Sequence, residues 1–323
     1  MSDKEHEPAT RQNADVLALT GGTGFIGCTL ARRLVAKGWQ VRALVRSTGK
    51  AAALRSLGAQ PVLGDLRDSS DWGSFVAGAK AVVHCAGAVR GITDQEFHRV
   101  NTVGLENLAK SADRLEAPPF FVSLSSLAAR EPHLSPYAAS KKAGEEALAS
   151  AAGRMRWVAL RPPAVYGPGD REMLPLLQWM MRGVAPVLSV PGARFSLLYV
   201  EDLAAAIEKC LDAKLGPGGV FELHDGRQGG YDWNEIVSAA ATVRGKRVVP
   251  ISVPRNLLRA LAQISVAWAR LTNQPPMLTP GKFRELNHPD WVCDNQAFSE
   301  AFGWHPKVQF QEGLRRTIAH ISG

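Results

Sequence analysis

No two cysteines in this chain lie close together. Cys28, Cys85, Cys210 and Cys293 are scattered through 323 residues, with no CxxC and no Cys/His cluster at metal-ligand spacing. That excludes a zinc ribbon or a disulfide framework as the basis of the fold, and no metal is expected. Reduced, mostly buried thiols fit a reducing compartment. Also missing is any apolar run long enough to span a bilayer. The polar start, Met1 to Arg11, has no apolar h-region, so residues 1–14 read as a flexible tail and the expected location is cytoplasmic. The net charge is +8, yet no block of Lys and Arg forms a nucleic-acid stripe. The expected partner is a small molecule, with no nucleic acid and no transmembrane segment; a homodimer is left open.

What is present is an ordinary globular balance, 46% hydrophobic and 21% charged, sufficient for a sizeable core. Val16 to Leu19 is a short apolar run that ends in a Gly-rich turn. Cys28 to Lys37 then carries apolar residues at helical spacing and stops at Gly38, and Val41 to Val45 reads as a second strand. Strand, turn, helix and strand in about thirty residues make one crossover unit. Further strands are expected at Val62-Leu63, Ala81–His84, Phe120–Leu124 and Trp157–Leu160, with helical segments between them, including Thr93 to Leu115. Such alternation predicts an α/β fold, a doubly wound parallel (Rossmann) sheet. The regularity breaks at Arg161-Pro162-Pro163. Residues 15–170 are therefore assigned to a dinucleotide-binding domain and 171–323 to a smaller substrate lobe interleaved with the sheet.

Two motifs carry the chemistry. The first is Thr20-Gly21-Gly22-Thr23-Gly24-Phe25-Ile26-Gly27, between a strand and a helix. Glycines there allow a tight turn and bring a pyrophosphate onto free N–H groups at the helix N-terminus. The end of the second strand selects the nucleotide. A carboxylate at that point would hold a ribose 2′-OH, but the chain has Val45-Arg46-Ser47 with Lys50 nearby. Arg46 suits a 2′-phosphate, so NADP(H) is expected, with NAD(H) as the alternative. Asp65-Leu66 stands where an adenine edge would be met. The second motif is Tyr137-Ala138-Ala139-Ser140-Lys141. Four residues apart on a helix, the phenol and the ammonium share one face, and Pro136 suits the first turn. A neighbouring ammonium lowers a phenol's pKa and equips it to exchange a proton. Ser125, or failing it Ser126, could hold the same substrate oxygen.

As a set these residues resemble the extended short-chain dehydrogenase/reductase family, also called the NAD-dependent epimerase/dehydratase family. The resemblance runs from about Val16 almost to the C-terminus. It is carried by Thr20 to Gly27, Gly64-Asp65-Leu66-Arg67-Asp68, His84-Cys85-Ala86-Gly87, Asn101 to Leu108, Ser123 to Ser126, Tyr137 with Lys141, Arg161-Pro162-Pro163 to Gly169, and Tyr199 to Ala204. It implies Tyr137 as the acid/base, Lys141 on the nicotinamide ribose, Ser125 on the substrate oxygen and Asn101 as support for the helix. Cys85, Ala86, Gly87 and Pro163 would line the cofactor. The Thr-Asp-Glu run of sugar dehydratases is missing, because Ser125-Ser126-Leu127 occupies its place. The implied activity is interconversion of a secondary alcohol and a ketone on a hydrophobic small molecule. Two alternatives stand beside it: a nucleotide-sugar epimerase with tightly bound NAD, and a non-catalytic dinucleotide-binding sensor or assembly protein.

Other features carry bland expectations. His84 reads as a satisfied core histidine, and His98 and His133 as surface residues. Tyr166 is either a packed loop aromatic or a site residue. Glu201 or Asp202 should lie at a helix start. Leu257, Leu258, Leu261, Ile264, Trp268 and Leu271 form one helical stripe, expected to pack on the core, with an interfacial helix as the rival reading.

Overall fold

The computed structural model describes residues 14–68, 71–188, 190–213, 218–272, 276 and 278–322. Residues 1–13 of the expected tail lie outside that set. Seven parallel strands form the main sheet: β1 (Val16–Thr20), β2 (Gln40–Val45), β3 (Gln60–Leu63), β4 (Ala81–His84), β5 (Phe120–Leu124), β6 (Trp157–Arg161) and β7 (Val220–Glu222). Their order is β7-β6-β5-β4-β1-β2-β3. Chain direction across the sheet reverses between β1 and β4, which pair from Leu17↔Ala81 to Thr20↔His84. A ligand crevice forms beyond the strand ends at such a reversal. The last strand reaches the sheet from beyond residue 170 and pairs with β6 from Val220↔Ala159 to Glu222↔Arg161.

Helices cover both faces. On one, the Phe25–Ala36 and Val200–Asp212 helices bury Leu30, Leu34, Leu203 and Ile207 against Leu17, Leu19 and Val83. On the other, the Leu105–Asp113 helix buries Leu108 and Ala112, and Leu148 of the Pro136–Ala151 helix joins them against Val82 and Phe121. Strands enclosed in this way are apolar on both sides.

Two segments depart from expectation. The predicted Thr93–Leu115 helix is a helix at Asp94–His98, a π-helical turn at Arg99–Gly104 and a helix at Leu105–Asp113. Its N-cap is Thr93, whose hydroxyl accepts from the Glu96 amide. The Arg255–Thr272 helix contains the predicted apolar stripe, but of that stripe only Leu258 is buried. Leu257, Leu261, Ile264, Trp268 and Leu271 face outward, so the core-packing reading is overturned. The buried face carries Leu258, Ala262 and Ala269 instead. At the Val200–Asp212 helix, Asp202 lies in the first turn, but its carboxylate accepts from the backbone N–H groups of Lys307 and Val308, both at 2.8 Å. Tyr166 is packed rather than site-lining: it is fully buried between Tyr199 and Phe310.

Candidate active site

The Gly-rich turn leads from β1 into the Phe25–Ala36 helix. Gly24 is the N-cap, makes no side-chain cap bond, and no acid occupies the first turn. The helix N-terminus therefore offers unpaired N–H groups and the positive end of its dipole. Gly21 has φ +73°, and a Cβ on it would come within 2.6 Å of the Ala86 amide nitrogen. A Cβ on Gly27 would fall 2.2 Å from the Gly21 carbonyl oxygen. Side chains at either position would break the contact of this turn with the β4 end or with itself. Around Gly24 an added carbon would meet only Gly21 O, at 3.2 Å, leaving an open cradle beside bare backbone. Thr23 is exposed, while Phe25 and Ile26 are partly buried. A pyrophosphate fits this cradle by charge and by space.

Arg46 is exposed at the end of β2. It lies near enough to Asp65 for its charge to help lower that carboxyl's pKa, although the main influence is the hydrogen bond from Arg67. Arg67 grips Asp65 with two guanidinium nitrogens, at 2.6–3.1 Å. The Asp65 carboxylate is thus already engaged, and Leu66 beside it is buried. Arg46 and Asp65 share one rim.

Across the crevice, the loop after β4 is fixed by two polar anchors. Thr20 Oγ1 lies 3.0 Å from His84 Nδ1 and accepts from the Ala86 amide at 3.2 Å. Burial first, and the Lys141 charge second, hold the His84 pKa down to about 3. A neutral, satisfied core histidine is what the sequence suggested. Asn101, buried in the π-helical turn, accepts from the Ala88 amide at 2.7 Å and donates to the Ala88 carbonyl at 3.0 Å and to Ser140 Oγ at 2.9 Å. Such turns insert one extra residue and recur at functional sites. Cys85 is partly buried, with its thiol pushed up to about 12 by burial. A Cβ on Gly87 would lie 3.1 Å from Lys141 Nζ and 3.2 Å from Asn101 Oδ1. Gly87, Asn101 and Lys141 therefore converge.

Tyr137 and Lys141 lie on the Pro136–Ala151 helix, which starts at Pro136 and is capped by Ser135, whose hydroxyl accepts from the Ala138 amide at 3.0 Å. The Lys141 ammonium donates to the Leu124 carbonyl at 2.9 Å, and burial lowers its pKa to about 8. The Ser126 hydroxyl lies close enough to the Tyr137 phenol to favour its ionised form. Its ring meets Phe97 edge-on, with centroids 6.3 Å apart. Burial raises the Tyr137 pKa above its ordinary value. Ser126 and the Lys282 charge pull it down, while Glu285 and Glu172 push it up. Lys282, from a half-exposed side chain, is a cation whose charge lowers the phenol's pKa.

The two candidate serines have different surroundings. Ser125 is buried and donates to Glu145 Oε1 at 2.5 Å, and Arg161 holds the same carboxylate with two nitrogens at 2.6 and 2.8 Å. Ser125 belongs to that internal network, whereas the Ser126 hydroxyl accepts from the Ala128 amide at 3.2 Å and acts on the Tyr137 phenol. Pro163 follows β6 and is partly buried, next to Pro162, whose carbonyl accepts from the Leu127 amide. Arg130 and His133 do not enter the site: Arg130 donates to the Val292 and Asp290 carbonyls, and His133 is exposed.

Sequence reasoning missed Lys282 and Glu285. Both come from the Pro280–Leu286 helix, where Lys282 Nζ lies 3.0 Å from Glu285 Oε2 and Ser135 donates to Glu285 Oε1. Thr279-Pro280 signals a helix start, and Thr279 does cap it. Nothing local places that helix against Tyr137. Among the described residues no three His, Cys, Asp or Glu gather as a metal site.

Residues 17–223 match the protein-family model described as the NAD dependent epimerase/dehydratase family. The chain is 39% identical over 305 residues to ceramide reductase of Caulobacter vibrioides, across 94% of this chain and 93% of that protein. It is 30% identical to the 4-hydroxy-2-methyl-3-oxo-4-farnesyl-3,4-dihydroquinoline-1-oxide ketoreductase of Stigmatella aurantiaca, across 92% and 93% of the two chains. Among solved structures, UDP-glucuronic acid 4-epimerase from Bacillus cereus, in complex with NAD, superposes with a TM-score of 0.73 at 18% identity, over 95% of this chain and 98% of that one.

Proposed function

The chain belongs to the NAD-dependent epimerase/dehydratase family, and on that premise we propose that it is an NADP(H)-dependent reductase of a ketone on a long-chain, apolar molecule. The observation that carries the reading is the convergence of Gly87, Asn101 and Lys141, with Tyr137 one helical turn before Lys141 on the same helix. When bound, the nicotinamide supplies a hydride to the carbonyl carbon. Tyr137 Oη delivers the proton to the carbonyl oxygen, and Ser126 Oγ holds that oxygen in place. The product is the secondary alcohol. Lys141 holds the nicotinamide ribose, and Asn101 keeps the Cys85–Ala88 loop at the correct height. Gly21, Gly24 and Gly27 receive the pyrophosphate. Arg46 pairs with the 2′-phosphate by charge-assisted hydrogen bonds, and Asp65 lies on the adenine side.

The substrate class rests on the two relatives named for reduction, one of a ceramide and one of a farnesyl-bearing oxo compound. Val89, one residue beyond the Ala88 that Asn101 anchors, is an exposed apolar side chain suited to such a molecule.

The test is oxidation of NADPH and NADH by the purified protein with a long-chain keto lipid in mixed micelles, and separately with UDP-glucose. Oxidation with the keto lipid, faster with NADPH, is expected. Tyr137→Phe should cut turnover by about 10²–10⁴-fold with NADPH affinity unchanged. Arg46→Asp should weaken NADPH by about 10- to 100-fold and leave NADH nearly unaffected. Near-parental turnover in Tyr137→Phe, or conversion of UDP-glucose with no net nucleotide oxidation, would overturn the reading.

A further inference from the structure

The outward stripe of the Arg255–Thr272 helix is too apolar to be left to water. Leu257, Leu261, Ile264, Trp268 and Leu271 are 50%, 44%, 64%, 67% and 82% exposed. At 3.6 residues per turn they fall within an arc of about 80°. Arg255 and Arg259 are exposed on the opposite side of the same helix. From Arg255 to Thr272 there is no Asp or Glu. A Leu/Ile/Trp face with arginines opposite and no carboxylate is the make-up of a helix that lies in a bilayer's headgroup plane. No helix of the described residues is long and apolar enough to cross a membrane, so such a helix would lie on the surface rather than span it.

Charge decides between occupants. A second copy of the chain, itself at net +8, would bring more arginines to a helix that has no acid to pair with them. An anionic lipid surface supplies the missing sign. We infer that the Arg255–Thr272 helix docks the protein on an anionic bilayer, its apolar stripe in the acyl boundary.

The helix is also mechanically close to the site. It packs against the Pro280–Leu286 helix. That helix is keyed to the start of the Tyr137 helix: a Cβ on Gly281 would fall 2.8 Å from Ser135 Cβ, and Arg284 donates to the Leu134 carbonyl at 2.6 Å. Docking would hold the cleft next to the layer in which a long-chain ketone dissolves. That last benefit rests on the proposed reaction; the docking itself does not.

The test is co-sedimentation of the full chain with vesicles of phosphatidylcholine alone and of phosphatidylcholine with phosphatidylglycerol, without substrate. Partitioning should be about tenfold or more stronger with the anionic lipid and should fall at high salt. Ile264→Glu with Trp268→Glu should lose about tenfold or more of it, and the milder Ile264→Ser with Trp268→Ser an intermediate amount. NADPH affinity should match the parent in both, which also reports that they fold. Equal sedimentation of parent and variants, or equal binding to both vesicle types, would overturn docking. A lipid-free parent that is dimeric by light scattering while the variants are monomeric would assign the stripe to a second copy instead. Loss of keto-lipid reduction with vesicle binding intact would remove the proposed reaction and leave the docking.

Discussion

The nucleotide half and the C-terminal lobe hold their polar groups in different ways. In the nucleotide half several hydrogen bonds of the site are nearly local, Asn101 to Ala88, 13 residues apart, and Ser125 to Glu145, 20 apart, although Thr20 reaches the Ala86 amide from 66 residues away. Those that fasten the lobe reach farther along the chain. Arg130 binds the Val292 carbonyl from 162 residues away, Ser135 binds Glu285 from 150, and Asp202 binds the Lys307 amide from 105. One half is organised by short motifs around the Gly-rich turn. The other is pulled together by single long-range clasps and an aromatic cluster of Tyr166, Tyr199, Tyr231 and Phe310. A short-range network can be specified by a motif. A clasp is specified only by the finished fold.

The largest expected effect lies where the two modes meet. Arg161 is held by Glu145 and also lies 3.9 Å from Glu222 on β7. Arg161→Met would leave the buried Glu145 carboxylate uncompensated, at a cost of about 3–5 kcal/mol. Chemical unfolding measures it. A loss under about 1 kcal/mol would show that the Glu145 network is not a structural hub.

A second test separates ligand binding from stability. The folded pKa of Lys141 is about 8, below its ordinary 10.5. Between those values the unfolded chain carries more protons at this site, so its contribution to stability rises with pH, and its cost is greatest below about pH 8. Lys141→Met removes the cost. The variant should be more stable than the parent at neutral pH by on the order of 1–3 kcal/mol, less the lost bond to Leu124. The gap should close as pH approaches 10, and NADPH affinity should fall. Superimposable melting curves for parent and variant across this range would show Lys141 as an ordinary surface lysine.

The smallest effect sharpens the comparison inside the aromatic cluster. Tyr231 donates to Asp225 at 2.6 Å and accepts from the Phe310 amide at 3.2 Å. The Tyr166 hydroxyl is buried with no hydrogen-bond partner among the described residues. Tyr231→Phe should cost about 1–3 kcal/mol, and Tyr166→Phe should stay within about 0.5 kcal/mol of the parent. Urea midpoints for the two variants decide it. Equal losses would mean that the Tyr166 hydroxyl is bonded after all.

Legibility in the sequence follows the same division. Gly21, Gly24 and Gly27 could be read because their contacts are with each other and with the end of a neighbouring strand. The Tyr137 helix could be read from Ser135, Pro136 and helical spacing. The choice between Ser125 and Ser126 could not. Successive strand residues point to opposite faces, but from Phe121 to Leu124 β5 is buried on both faces, so no apolar alternation fixes the phase. The π-helical turn was hidden inside an ordinary helical pattern. Lys282 was out of reach, since its position beside Tyr137 depends on a clasp formed over 150 residues. The Leu257–Leu271 stripe was legible as a stripe, but its direction was not, because Leu258, Ala262 and Ala269 can bury a helix by a second, smaller-residue face.

The late arrival of β7 bears on how the chain is made. During synthesis the Gly-rich turn and the Tyr137 helix emerge before residue 170, together with six of the seven strands. The outer edge of β6, Trp157–Arg161, then stays unpaired until Val220–Glu222 has left the ribosome. An open parallel edge beside an incompletely covered sheet is a template for misassembly between nascent chains. A ribosome stalled in that interval would hold six of the seven strands with one edge still open.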